Sequence, residues 1–184
     1  MESDLRWAAS FPALFAPGEV EYADALLRFT TGAVPDELVS RLHLVAVTPR
    51  RRVIVCRSVQ GWRFLPGGTR EPGESLAELA ARELLEEAGA RMTGTVSLFA
   101  SHVADSRADA PFRPHLPHPR AYWAYAVTEA EIVGAPANPP DGEHVVEVME
   151  LTAGEAAGYL AVHDPHHADV VRLAAAMSLI EPAS

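Results

Sequence analysis

The stretch RELLEEAG, Arg82 to Gly89, constrains this chain more than any other, because it joins a helical pattern to a charge problem. Glu83, Glu86 and Glu87 stand at i, i+3 and i+4, so a helix crowds three carboxylates onto one face, where like charges weaken it by a few tenths of a kcal/mol. The helix itself is well marked. Ser75 with Glu78 three residues on is a capping-box start and Gly89 a natural stop, which predicts a helix over Leu76 to Ala88. At about 100° per residue, Leu76, Leu79, Ala80, Glu83, Glu86 and Glu87 fall within about a third of the circumference, a stripe that begins apolar and turns acidic. Ala77, Ala81, Leu84, Leu85 and Ala88 form a second, apolar face. With core expected on two sides, the carboxylates are not expected to hang freely in water.

A solvated acidic face predicts Lys or Arg interleaved at i+4. Glu78 has Arg82 there, in the favourable order, but Glu83 has Glu87 and Glu86 has Ala90. Partly desolvated carboxylates without basic partners acquire raised pKa values or hold a cation, and clustered hard oxygen ligands suit Mg²⁺ or Mn²⁺. Spacing alone leaves both the solvated face and the metal site open. The preceding loop, PGGTREPGE, favours the metal. Gly67, Gly68 and Gly73 permit close backbone approach, so a main-chain carbonyl can face the same ion and amides can face a phosphate. Glu74 adds a fourth carboxylate at the helix entrance. An acidic helix behind a glycine-rich loop describes a cation-bridged phosphate site.

The rest of the chain supplies a scaffold for it. A length of 184 residues fits one domain. LHLVAVT and RVIVCRSV are β-branched runs joined by Pro49-Arg50-Arg51, which reads as a hairpin, and WRFL is a third short strand. Further strands are expected at TVSLFASHV, RAYWAYAV and HVVEVMEL, and helices at LTAGEAAGYL and ADVVRLAAAMSLI. Ala23–Phe29 and DELVSR after Pro35 read as short helices of an N-terminal extension, residues 1–40, packed on a main body of residues 41–184. Strands in the middle bracketed by helices predict an α/β fold, a mixed β-sheet sandwiched between α-helices.

Charge and composition exclude several functions. The net charge is −10, with no basic cluster longer than Arg50-Arg51-Arg52, so a nucleic-acid polymer is not an expected partner, and a small anion fits only if something local reverses the field. No apolar run approaches the roughly 20 residues of a membrane helix, and MESDLRW lacks a basic head followed by a hydrophobic stretch, so a cytoplasmic protein without membrane attachment is expected. The single cysteine, Cys56, permits neither a disulfide nor a cysteine zinc site and reads as an inert buried residue.

The segment GGTREPGESLAELAARELLEEAGA resembles the signature of the Nudix hydrolases, G-x5-E-x7-R-E-U-x-E-E-x-G-U with U aliphatic. Gly68, Glu74, Arg82, Glu83, Leu84, Glu86, Glu87 and Gly89 fall on its positions, and Ala90 departs from it where a larger aliphatic is usual. The resemblance implies the Nudix fold and hydrolysis of a diphosphate linkage in a small nucleoside diphosphate derivative, with Mg²⁺ or Mn²⁺. It makes Glu83, Glu86 and Glu87 metal ligands, with the Gly67 carbonyl a further one. Arg82 would orient the carboxylates by a salt bridge, with Glu74, Gly68 and Gly89 in support. A glutamate serves as general base, either Glu83 in the box or Glu143, near Asp141, on a later loop. Many relatives are homodimers, and the extension could form such a contact or cap the pocket, which leaves the oligomeric state open.

Two rivals within this fold remain. An isopentenyl diphosphate isomerase needs a cysteine in a local motif that Cys56 lacks. A non-catalytic nucleotide-binding or regulatory domain commonly loses box glutamates, which are all intact here. His115, His118, His163, His166 and His167 show no zinc arrangement and read as structural or surface residues. The loop around 109–119 is expected to overhang the catalytic helix and shape a substrate pocket. Trp62, Phe64, Tyr122 and Trp123 are candidates to stack a base, although strand aromatics usually serve the core.

Overall fold

Alternation along the central strands decides the architecture. In a computed structural model that describes residues 2–139 and 144–181, Leu44 and Ala46 turn to one face of the sheet and Val45 to the other, as do Ile54 and Cys56 against Val53 and Val55. Each central strand therefore buries both faces, which is possible only if helices cover both sides. In chain order the elements are α1 (Glu2–Ala8), α2 (Pro12–Phe15), β1 (Gly18–Val20), β2 (Ala25–Thr30), β3 (Val39–Val47), β4 (Val53–Ser58), β5 (Arg63–Phe64), β6 (Gly67–Thr69), α3 (Leu76–Ala88), β7 (Ala90–Met92), β8 (Ser97–Ser106), β9 (Arg120–Ile132), β10 (Val145–Leu151), α4 (Ala153–Leu160) and α5 (Pro165–Ala176). The main path of the sheet runs β1-β2-β8-β9-β3-β4-β10, with β5 on β4, β6 on β3 and β7 on β9. Among the described residues only β3 and β9 pair in parallel, so the sheet is mixed and the fold is α/β.

Helix α3 lies on one face, where Leu79, Leu84 and Ala88 pack with Leu42, Leu44 and Ile54. On the other face Leu160 of α4 and Val170, Val171 and Leu173 of α5 pack with Val45, Val53 and Val55. Each fully buried leucine contributes on the order of 1.5–3 kcal/mol. The hairpin expected at Pro49–Arg51 is present, closed by Thr48 N–H to the Arg52 carbonyl at 2.8 Å, with Arg51 at φ 59°.

Two sequence expectations fail at the N-terminal end. Ala23–Phe29 forms a short 3-10 turn over Glu21–Ala23 and then strand β2, because Ala25 and Phe29 alternate inward with exposed residues and the edge of β8 is open to pairing. After Pro35 a 3-10 turn, Asp36–Leu38, leads directly into β3, whose pairing with β9 begins at Val39. The second apolar face expected on α3 is also incomplete: Ala77, Ala81 and Leu85 face solvent, since the helix meets the sheet along a single stripe.

The ends of α3 follow the sequence. Ser75 Oγ accepts from Glu78 N–H while the Glu78 carboxylate accepts from Ser75 N–H at 2.8 Å, completing the capping box. Gly89 adopts φ 56°, and a Cβ there would run into the backbone of Gly134 and Ala135, so only glycine ends this helix in this place. Ser75→Ala is expected to lower stability by about 1 kcal/mol, read as a fall of about 2–4 °C in the thermal midpoint.

Candidate active site

Burial of acidic residues on the core side of α3 defines the site. Glu83 and Glu87 are only 6% and 8% exposed, on the same stripe as Leu76, Leu79, Ala80 and Leu84, while Glu86 is half-buried at its edge. Carboxylates in that position need partners, and one guanidinium supplies most of them. Arg82 Nε and Nη2 donate to the two oxygens of Glu74 at 2.8 and 3.1 Å. Its Nη1 donates to Glu83 at 2.8 Å and to Glu86 at 3.2 Å, and Nη2 reaches the Thr69 carbonyl at 3.1 Å. The i+4 partnership of Glu78 with Arg82 anticipated from spacing does not form, because Glu78 is held by the cap and Arg82 turns to the carboxylates behind it.

Glu87 is held from the other side: its carboxylate accepts from Gly67 N–H at 2.8 Å. Gly67 and Gly68 form β6 against β3, and a Cβ at Gly68 would collide with the Glu83 carboxylate. The glycine is thus required by the close approach of Glu83. Cys56 Sγ lies 3.3 Å from the Glu87 carbonyl, fully buried, and burial pushes its thiol pKa up, in keeping with an inert core residue.

Electrostatics within the cluster are uneven. Burial raises the Glu83 pKa more than Arg82 lowers it. For Glu74, burial acts upward as well, but hydrogen bonds from Arg82 and the Glu71 amide prevail and its pKa is lowered. Hydrogen bonding to Glu74 raises Arg82 further, so it stays a cation. The cluster faces a cleft of about 570 Å³ whose lining also includes Arg41, Glu71 and Arg113.

Oxygen donors of this kind fit a hard divalent cation: three carboxylates share one guanidinium and a fourth, Glu87, accepts from a backbone amide, which leaves excess negative charge facing the cleft. Among the described residues, no three His, Cys, Asp or Glu side chains converge on one point as they stand. Ion binding would therefore draw on side-chain rotation, above all by Glu86, the most exposed of the three acids that contact Arg82 and the one with the longest contact.

The other sequence candidates are dispersed. Glu143 and Asp141 lie outside the described residues. Trp62 is exposed, Phe64 and Tyr122 pack against the core, and Trp123 lines a separate cavity beside the cleft. His115 meets the Arg70 carbonyl at 2.8 Å and Arg113 meets Glu71 at 3.4 Å, so loop 107–119 reaches the glycine-rich loop in front of α3. Sequence reading passed over Arg41 and Arg113, which belong to no motif and reach the cleft only through sheet register and a long loop. His167, read from the sequence as structural or surface, belongs to a buried cluster whose other histidines sequence reading did not name: the His43 and His167 rings stand 4.6 Å apart and His102 meets Tyr125 at 3.1 Å. Burial lowers the pKa of all three histidines, that of His102 to about 4. They are neutral core residues.

A family model described as the NUDIX domain matches residues 39–174. The chain belongs to this family, the Nudix hydrolases. Among solved structures it is similar to the pyrophosphohydrolase BsRppH of Bacillus subtilis, with a TM-score of 0.52 and 14% identity over 74% of this chain and 77% of that one. It is similar too to a NUDIX hydrolase from Nitrosomonas europaea, with a TM-score of 0.50 and 16% identity over 78% of this chain and 93% of that one. At such identities these likenesses concern the fold. No helix among the described residues is long and apolar enough to cross a membrane.

Glu83 also carries a stability prediction. A carboxyl whose pKa is raised in the folded state binds its proton more tightly there than in the unfolded chain, so stability falls as pH rises from the unfolded to the folded value and stays reduced above it. In EDTA, Glu83→Gln is therefore expected to raise the thermal midpoint at neutral pH, with the gain shrinking as pH falls through the raised pKa. A lowered midpoint at pH 7 would show instead that the Arg82 contact outweighs desolvation.

Proposed function

We propose that this Nudix protein hydrolyses a diphosphate linkage in a small nucleoside diphosphate derivative, with Mg²⁺ or Mn²⁺. The observation that carries the reading is the burial of Glu83 and Glu87 beside Arg82, since a helix gains nothing structurally from carboxylates where its neighbours are leucines. In this reading Glu83, Glu86 and Glu87 hold the cation, with the Gly67 carbonyl as a further ligand. Bound there, a divalent ion neutralises phosphate charge and makes water a competent nucleophile near neutral pH.

The chain's own groups do the rest. Arg82 keeps Glu83 and Glu86 oriented and tethers them to Glu74 at the helix entrance. The Gly67 amide fixes Glu87. Gly68 leaves the space that the Glu83 carboxylate occupies, and Gly89 closes the helix behind it. Arg41 and Arg113 line the cleft and give a polyanion the positive contacts that a net charge of −10 otherwise denies it. Glu83 is the in-box candidate to accept the proton of the attacking water, and Glu143 is the alternative base on a loop. In the same reading the protein is cytoplasmic, and residues 1–40 would be available for a homodimer contact or for capping the pocket.

Two variants test this. Glu87→Gln removes a ligand and is expected to lower kcat by orders of magnitude with the circular dichroism spectrum unchanged. Gly68→Ala displaces Glu83 without removing it and is expected to lower turnover by about 100-fold, as a misplacement near 1 Å does. Both are read on whichever member of a panel of nucleoside diphosphate derivatives releases phosphate or nucleotide in a metal-dependent way. Near-normal turnover by Glu87→Gln sinks the assignment. Tight binding of one panel member without turnover of any favours the non-catalytic domain.

A further inference from the structure

Beside the acidic cleft lies a second, mostly apolar cavity of about 70 Å³, and three aromatic residues stand among the alanines and prolines of its lining. Tyr22 and Trp123 both line it, with rings inclined by only 6° and centroids 6.3 Å apart. Phe112 meets Tyr22 edge-on at 6.0 Å. The three residues come from distant parts of the chain: Tyr22 from the 3-10 turn before β2, Phe112 from the proline-rich loop, and Trp123 from β9. Tyr22 and Phe112 are 61% and 65% exposed, an unusual state for large aromatics that touch one another at a cavity mouth.

Arg41 joins this cavity to the cleft. It lines both, together with Thr69. Its guanidinium carbon stands 5.5 Å from the centre of the Trp123 ring and its Nη1 donates to the Tyr22 hydroxyl at 2.9 Å. Its Nε is buried and, among the described residues, has no hydrogen-bond partner. A cation with an unused donor therefore sits at the junction of an apolar cavity and the larger acidic cleft.

We propose that the Tyr22–Phe112–Trp123 cavity is the subsite for the nucleobase of the substrate. The inference rests on the hydrolase reading for the phosphate end only, and it assigns the specificity of the site to named residues. A planar aromatic ligand would extend the stack by lying on an exposed aromatic face, and it must be joined to an anion to use Arg41 and the cleft beside it. The cavity admits one edge of such a ring, and the exposed rings of Tyr22 and Phe112 cover the remainder. Tyr22 lies before residue 39, where the family match begins, and Phe112 lies in the loop between β8 and β9. Recognition of the base thus combines Tyr22, outside the matched domain, with a loop and a strand inside it.

The test uses binding, so that it does not depend on turnover. In the full chain carrying Trp7→Phe and Trp62→Phe, Trp123 is the only indole. Titration with AMP, GMP, CMP and UMP in EDTA is expected to quench its fluorescence saturably with at least one of them, and ribose 5-phosphate is expected to give no quenching. Adding Tyr22→Ala should weaken that nucleotide by about five- to 150-fold, the loss of one base–aromatic stack. Equilibrium dialysis of the same nucleotide against the chain with its native tryptophans, and against Trp123→Leu, makes the comparison without the two background replacements. Absence of binding by all four nucleotides, equal binding of ribose 5-phosphate, or unchanged affinity in both Tyr22→Ala and Trp123→Leu overturns the subsite. A chain that binds the nucleotide through these rings yet hydrolyses no diphosphate keeps the subsite and loses the hydrolase reading. One that hydrolyses but passes none of the binding tests does the reverse.

Discussion

The guanidinium of Arg82 holds the site together. Glu74, Glu83 and Glu86 all accept hydrogen bonds from it, at the helix entrance, the buried stripe and the helix edge. Its further bond to the Thr69 carbonyl ties the helix to β6, the strand that carries Gly67 and Gly68. Removing one partner from such a cluster leaves desolvated charge behind, which is why its members act as a unit. Helix α3 meets the sheet with leucines over most of its length and with carboxylates over its last two turns, and Arg82 makes the second half tolerable in the fold.

The same arrangement joins stability to function. Burial that raises the Glu83 pKa is unfavourable to the isolated protein and would be relieved by a cation of the kind proposed. The glycine-rich strand is similarly compromised as a strand, since glycine packs nothing, yet its lack of side chains lets Glu83 and Glu87 lie against the backbone. These are the places where local structural preference is overruled, as expected where a site has been built into a packed interface.

Local patterning made the helix, its capping box, its glycine stop and the central strands legible, because each depends on residues within a few positions of one another. The N-terminal segment was misread for the complementary reason. ADALLRF has a helical composition, but the open edge of β8, nearly eighty residues away, pairs with it residue by residue from Ala25 to Thr30. The exposed side of α3 was misread because a helical wheel shows which residues share a face but not what lies opposite them. Alanines at 77 and 81 are equally at home in water or core.

The sequence by itself determined the acidic turn, the glycine loop and their spacing, and with them the family and the identity of the candidate ligands, since chemistry at a phosphate site requires fixed donors at short range. Only the tertiary structure decided which partners those carboxylates take, that Arg82 abandons Glu78 for Glu74, and that Arg41, Tyr22, Phe112 and Trp123 meet beside the cleft. Those four residues are spread over about a hundred positions, and no periodicity links them. Their juxtaposition is a product of sheet order and loop path, because contacts between distant segments are set by how whole elements pack.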